Sequence, residues 1–83
     1  MNLQGKMVIY HCEDNEKQLN NGNSKAPALV LTDWSAGHDG VEGTAVNIRV
    51  FFDNFEMMLP ESYKTSVPHG SNPGDWSLME EAN

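Results

Sequence analysis

The sequence feature that most constrains the fold is the alternation of apolar and polar side chains at residues 44–52. Side chains of an extended strand point alternately to its two faces, so a period of two indicates a strand with one buried face. Asn47 and Arg49 then lie on the face opposite to the apolar set. The segment therefore predicts a core-forming strand. Its predicted inward-facing residues are Val46, Ile48, Val50 and Phe52.

Four further segments are rich in β-branched, aromatic or aliphatic residues, a composition typical of strands. Asp53 and Asn54 both tolerate the left-handed backbone conformation, so they predict a tight hairpin after residues 44–52. In the second strand the sequence leaves open whether Leu29 and Leu31 or Ala28 and Val30 face inward. No segment keeps a helical apolar period over several turns, so we expect no long helix. The further predicted strands are residues 6–12, 28–34, 55–59 and 63–67.

Five short strands in 83 residues predict an all-β fold, a small five-stranded SH3-like barrel of the Tudor type with long polar loops. Closure into a barrel removes the exposed edges that destabilise small open sheets. We expect one domain over residues 1–83, with loops at 13–25 and 35–43 and a frayed tail at 80–83. The predicted core outside residues 44–52 is Val8, Tyr10, Leu29, Leu31, Leu59 and Val67.

The charge balance excludes several classes of partner. Twelve acidic residues against five basic ones give a formal charge of −7. Such a chain repels phosphate backbones and anionic lipid, so we expect neither a nucleic acid nor a membrane as partner. No apolar run approaches the roughly 20 residues that a membrane helix needs. The single cysteine, Cys12, excludes an internal disulfide and fits a reducing compartment such as the cytoplasm.

Catalytic and cofactor sites are not expected either. His11 and Cys12 are neighbours on a predicted strand, so their side chains point apart and the histidine does not activate the thiol. One cysteine and three scattered histidines lack the paired spacing of a zinc site. The glycines at 37, 40 and 43 lack the Lys-Ser/Thr ending of a phosphate loop. We therefore expect no enzyme, no metal and no cofactor.

Two sets of residues are candidates for binding. In the first, Arg49 offers a forked donor for carboxylate or phosphate, and Trp34 and Trp76 offer faces for stacking. The alternatives are core packing of the tryptophans and a cross-strand ion pair of Arg49 with Glu56. The partner- or ligand-binding candidates are Asn47, Arg49, Lys64, Thr65, Ser66, Trp34 and Trp76.

The second set lies at the tip of the predicted hairpin. Strand alternation cannot bury all of its large apolar side chains in a small core, so some are expected to be exposed and to favour self-association. The alternative is that the polar loop at 13–25 covers them. The self-association candidates are Phe51, Phe55, Met57 and Met58.

Four short segments, at residues 27–31, 46–53, 65–68 and 74–76, occur in an order that is distinctive in combination. They read PALVL, VNIRVFFD, TSVP and GDW. In this order they resemble a family of small proteins encoded by tailed bacteriophages and prophages. The resemblance implies a phage gene product in the cytoplasm of an infected bacterial cell or in the virion, and it implies no mechanism.

Two functions follow as hypotheses. The first is a non-enzymatic phage accessory protein that binds another protein, as a virion or assembly component or as an antagonist of a host factor. Its acidic charge then favours docking onto a basic surface. The alternative is an anti-defence protein that sequesters a small nucleotide immune signal, using the first set of candidate residues.

Overall fold

The computed structural model describes residues 3–34, 45–56 and 59–81. Within these ranges the chain forms five strands and one short α-helix. Turns of 3₁₀ helix follow the α-helix at Gln18–Asn20 and precede the fourth strand at Pro60–Ser62. The regular elements are β1 (Met7–His11), α1 (Asp14–Lys17), β2 (Lys25–Asp33), β3 (Ala45–Val50), β4 (Tyr63–Pro68) and β5 (Trp76–Ser77).

The strands form one antiparallel sheet in the order β4-β3-β2-β1-β5. The sheet curls into a half-barrel, so the predicted all-β, barrel-like fold is confirmed. At one end the two edges of the sheet meet, because His69 directly after β4 bridges to Trp76 in β5. There the backbone N–H of Gly70 donates to the Trp76 carbonyl at 2.9 Å.

The core fills the inner face of the curled sheet. In β3 the predicted inward set is confirmed for Val46, Ile48 and Val50, and Phe52 packs half-buried against the core. In β2 the inward residues are Ala28 and Val30, whereas both leucines of that strand are half-buried. The other buried apolar residues of the described chain are Val8, Tyr10, Cys12, Ala26, Val67 and Trp76.

The hairpin predicted after β3 does not form in the described residues. Phe55, Glu56 and Leu59 lie outside any strand, and the strand that pairs with β3 on this side is β4. The backbone after β3 is held by a long-range contact, in which the side-chain oxygen of Asn20 accepts the backbone N–H of Asp53 at 2.7 Å. The prediction of a strand at 55–59 was therefore wrong for these positions, and the fifth strand is β5.

The segment at 13–25, predicted as a polar loop, contains α1 and the 3₁₀ turn that follows it. Its start is fixed by Glu16, whose carboxylate accepts the backbone N–H of Glu13 at 2.9 Å. It ends at a turn in which Asn21 and Gly22 have positive φ angles of 52° and 82°. In the three described ranges no helix is long and apolar enough to cross a membrane.

Two irregularities in register flank the middle of β3. In β2 the pairing with β3 shifts between Val30 and Thr32. In β4 a second shift lies between the partners of Val46 and Ile48, where Ser66 adopts a positive φ of 52°. Bulges of this kind bend a strand and redirect side chains. Both lie beside Asn47, so they shape the outer face of the sheet at that point.

Candidate functional site

The outer face of the sheet carries a line of large side chains. Register pairs Met7 with Leu29, Leu29 with Arg49, and Arg49 with Tyr63, so these four lie side by side across β1 to β4. Phe51, two residues after Arg49, lies next to this line on the same face. Its backbone N–H donates to the Pro27 carbonyl at 2.8 Å. Directly paired residues point to the same face of a sheet, so this set forms one continuous surface.

Much of this surface is apolar and open to solvent. Met7, Phe51 and Tyr63 are each more than two fifths exposed, and Trp34 is 52% exposed. Single exposed apolar residues are ordinary, but several on one face mark an interaction surface. We call this set the outer-face patch. It consists of Met7, Leu29, Trp34, Arg49, Phe51 and Tyr63.

Asn47 binds side chains at the end of the patch where Trp34 lies. It is only 7% exposed, although strand alternation predicted it on the outer face. Its side-chain oxygen accepts the Trp34 indole N–H at 2.7 Å and the Ser66 backbone N–H at 3.0 Å. Its amide nitrogen donates to the Tyr63 hydroxyl at 3.4 Å. Asn47 therefore holds two aromatic side chains and the β4 bulge in place.

Arg49 is the charged residue at the centre of the patch. Its guanidinium donates to the Ser62 hydroxyl at 3.3 Å, and this hydroxyl donates to the Leu59 carbonyl at 2.6 Å. Within the described ranges no ion pair joins Arg49 to Glu56 or to another carboxylate. Among the described residues, the partner that holds Arg49 is thus neutral, and none of their carboxylates pairs with it.

The described strands place no acidic side chain on this face. Of twelve carboxylates, only Asp33 falls within one of the described strands. Asp33 pairs in register with the core residue Val46, is buried, and accepts the Leu3 backbone N–H at 3.1 Å. The described strand positions on the outer face therefore hold no acid in a chain whose net charge is −7. Their charged residues are Arg49 in β3 and Lys25 at the start of β2.

Lys64 lies on the other side of the sheet. It pairs with Ile48 in register and so points to the inner face, where its ammonium group donates to the carboxylate of Glu16. The Tyr10 hydroxyl donates to the same carboxylate at 2.7 Å, and the Lys64 nitrogen lies 5.5 Å from the Tyr10 ring centre. This ion pair connects β4 to α1 across the open side of the half-barrel.

Burial and hydrogen bonding shift the pKa of Glu16, the carboxylate of this ion pair, in opposite directions. Desolvation acts to raise the pKa of Glu16, but hydrogen bonds from Lys64, the Glu13 backbone and Tyr10 outweigh it, and the pKa is lowered. Burial, together with the bond to Glu16, raises the pKa of Tyr10 well above its ordinary range. Glu16 is therefore a carboxylate and Tyr10 a neutral donor at neutral pH.

Trp76 belongs to the core. It is 2% exposed and stacks at a tilt against His69, with ring centres 4.7 Å apart. Its indole nitrogen has no hydrogen-bond partner in the part of the chain that the structure describes. Thr65 and Ser66 are exposed at the β4 bulge. Of the seven predicted binding residues, the structure brings Trp34, Asn47 and Arg49 together with Ser66 on the outer side, and places Lys64 and Trp76 inside.

The self-association candidates are only in part within the described residues. Phe55 is 93% exposed and Phe51 is 44% exposed, as the prediction of an uncovered tip requires. The segment at 13–25 contacts Asp53 and Asn54 through hydrogen bonds and leaves both phenylalanines open. Met57 and Met58 lie outside the described residues, as do the predicted loop at 35–43 and its glycines.

The side chains at the end of β1 do not form a reactive pair. The His11 ring nitrogen lies 2.7 Å from the Ser77 hydroxyl, and burial lowers the pKa of His11. Burial raises the pKa of the Cys12 thiol, which the Asn20 amide contacts at 3.7 Å. A protonated buried thiol is a poor nucleophile. No group of three or more potential metal ligands occurs among the residues of the three described ranges.

Sequence reasoning missed Met7, Leu29 and Tyr63 as members of the surface, and it missed Glu16 as the partner of Lys64. Three of the five predicted strands, at 6–12, 44–52 and 63–67, contain no acid, and this was a readable signal of the surface. Comparison with known proteins finds no matching family profile, no matching curated protein and no matching solved structure.

Proposed function

We propose that the chain is a non-enzymatic protein-binding module and that the outer-face patch is its docking surface. The observation that carries this proposal is the exposure of aromatic and aliphatic side chains around Arg49, on a face whose described strand positions hold no acid. Tyrosine, tryptophan, phenylalanine, methionine and arginine are the residues enriched in protein interfaces. A surface of this composition stabilises a complex by burying apolar area around one directional charged contact.

The edges of the sheet are poor alternatives to its face. The outer edge strand β4 has an inward-pointing charge at Lys64, an irregular backbone at Ser66 and a proline at Pro68. Each of these features hinders the addition of another strand. The opposite edge strand, β5, has two residues. A partner that docks by its side chains on the outer face therefore fits this molecule better than one that extends the sheet.

The nucleotide-sequestering alternative has less support. It requires the two cations and the two tryptophans to converge on one ligand. Arg49 and Trp34 lie on the outer face, whereas Lys64 pairs with Glu16 on the inner face and Trp76 is buried. A single arginine and one tryptophan on a convex face give little enclosure for a small molecule, which pockets usually bury over most of its surface.

A phage accessory role is the setting we propose for this binding. The support is the resemblance of residues 26–78 to small phage and prophage proteins. A component of the particle and an antagonist of a host factor both act by protein–protein contact, and both suit a small rigid sheet with one open face. The protein then works in the cytoplasm of the infected cell or in the virion.

Site-specific photo-cross-linking tests the proposed surface. A photoreactive phenylalanine analogue replaces Tyr63 or Phe51, and in a matched control it replaces Ser71, which is exposed in the loop after β4. The experiment uses the cells that naturally express the gene. We expect both outer-face positions to trap the same protein and the Ser71 position not to trap it. Equal trapping from Ser71, or no trapped protein at either outer-face position, contradicts the proposal.

A further inference from the structure

The electrostatics of the outer-face patch differ from those of the chain as a whole. The chain carries seven more acids than bases, yet the described strand positions on the outer face hold Arg49 and Lys25 and no acid. A basic partner is attracted to the molecule in general but finds Arg49 at the centre of this patch. Charge complementarity at the patch itself therefore favours a negative group on the partner.

Arg49 has N–H donors that the described residues leave unused and that can bind such a group. One of its terminal nitrogens donates to Ser62, and this bond is its only side-chain hydrogen bond to the described residues. A guanidinium has five N–H donors in a planar fork, so donors remain for a carboxylate. Leu29 and Tyr63 flank Arg49 on the neighbouring strands. Their apolar surface excludes water when a partner docks and strengthens the charged contact.

The shape and charge of the face argue against a second copy as its occupant. The core lies inside the curled sheet, so the outer face is convex, and two convex faces meet over a narrow area. A stable interface needs about 800 Å² from each partner. Two copies also bring together two arginines and two net charges of −7. A different protein with a flat or concave surface avoids both costs.

We infer that the outer-face patch binds a protein segment in which a carboxylate side chain is flanked by apolar side chains, and that Arg49 receives the carboxylate. This inference rests on the proposed function, and it names the chemistry of the partner. Arg49 is then the residue that determines specificity, whereas Phe51, Tyr63 and Met7 supply the apolar area.

Selection from a random twelve-residue peptide display library tests the inference with a defined probe. The immobilised targets are the wild-type protein, Arg49→Glu and the control Lys17→Glu, which makes the same change of net charge on α1. We expect wild type and Lys17→Glu to select Asp or Glu between apolar residues, and Arg49→Glu to select Lys or Arg there. Arg49→Gln should weaken the wild-type peptides roughly tenfold or more, because a charge-assisted hydrogen bond is lost.

The outcomes separate the inference from the proposed function. Peptides that lose binding in Phe51→Ala and Tyr63→Ala, but show no acidic preference and tolerate Arg49→Gln, overturn the inferred chemistry and leave the docking surface intact. Peptides that bind all these variants equally, or a selection that yields no peptide, contradict both. Circular dichroism of each variant verifies that the fold is retained, and Arg49→Gln serves if Arg49→Glu does not fold.

Discussion

Lys64 and Arg49 lie on the paired strands β4 and β3, within one residue of each other in register, yet on opposite faces of the sheet. Lys64 points inward and is paired with the buried carboxylate of Glu16. Arg49 points outward and donates to the neutral hydroxyl of Ser62. The difference indicates how one small sheet separates two tasks. The inner cation joins β4 to α1, and the outer cation is the one that we propose contacts a partner.

The comparison predicts unequal costs for removing the two cations. Lys64→Met leaves the Glu16 carboxylate buried without its cation, and breaking such a pair should lower the free energy of unfolding by about 3 kcal/mol. Arg49→Met removes a single contact to a hydroxyl on a half-exposed face, so its cost should stay below about 1 kcal/mol. Urea unfolding at neutral pH measures both. Equal losses in the two variants would show that the inner ion pair has no special structural role.

The inner site should also give stability a dependence on pH that the outer site lacks. The pKa of Glu16 is lowered from 4.5, because hydrogen bonds from Lys64, Glu13 and Tyr10 outweigh desolvation. A lowered folded-state pKa contributes stability that is present above the unfolded value and is lost as the pH falls through the folded value. Glu16→Gln should therefore cost about 1–2 kcal/mol at neutral pH. The difference from wild type should shrink as the pH falls below 4.5.

Denaturant unfolding at several pH values measures this dependence. The matched control is Glu61→Gln, a carboxylate that is exposed on the turn before β4. We expect the control to follow the wild-type curve closely. The stabilising role of the charged Glu16 side chain is contradicted if Glu16→Gln loses the same free energy of unfolding at every pH. It is also contradicted if both substitutions change the pH dependence alike.

Within the outer site, Asn47 is predicted to matter for positioning more than for contact with a partner. Asn47→Ala removes the acceptor of the Trp34 indole and of the Ser66 backbone N–H, at a cost of about 1 kcal/mol. Trp34 then loses its fixed orientation, so acrylamide should quench its fluorescence more strongly, while the buried Trp76 contributes little. Thr65→Ala, at the neighbouring exposed position, is the control. Unchanged quenching in Asn47→Ala would contradict the positioning role.

The sequence predicted those parts of the fold that depend on local pattern. The alternation at residues 44–52 identified the inward face of β3. The hairpin predicted after Phe52 does not form in the described residues, where Asn20, 33 residues away, binds the backbone of Asp53. A contact of that separation leaves no trace in the local sequence. Propensity alone therefore favoured a hairpin that the described residues do not form.

The site was predictable to a similar extent. Alternation placed Arg49 on the outer face, but it could not identify Tyr63 or Met7 as its neighbours. That knowledge depends on strand register, which two bulges shift near Asn47. Trp76 was a plausible stacking residue by type, and only its place in β5 makes it part of the core. Lys64 was predicted to bind a partner or ligand, because nothing in the sequence links it to Glu16, 48 residues earlier.

The smallest expected effect concerns Phe55, which is 93% exposed at the tip beside the outer-face patch. Phe55→Ser should change the free energy of unfolding by less than about 0.5 kcal/mol, because the side chain is almost fully exposed. If the tip mediates self-association, the substitution should weaken it, and added salt should strengthen it in wild type by screening the net charge of −7. Sedimentation equilibrium at high protein concentration measures this. A wild-type protein that remains monomeric at every salt concentration would reject self-association and leave the outer-face patch, with Arg49 at its centre, entirely to a different partner.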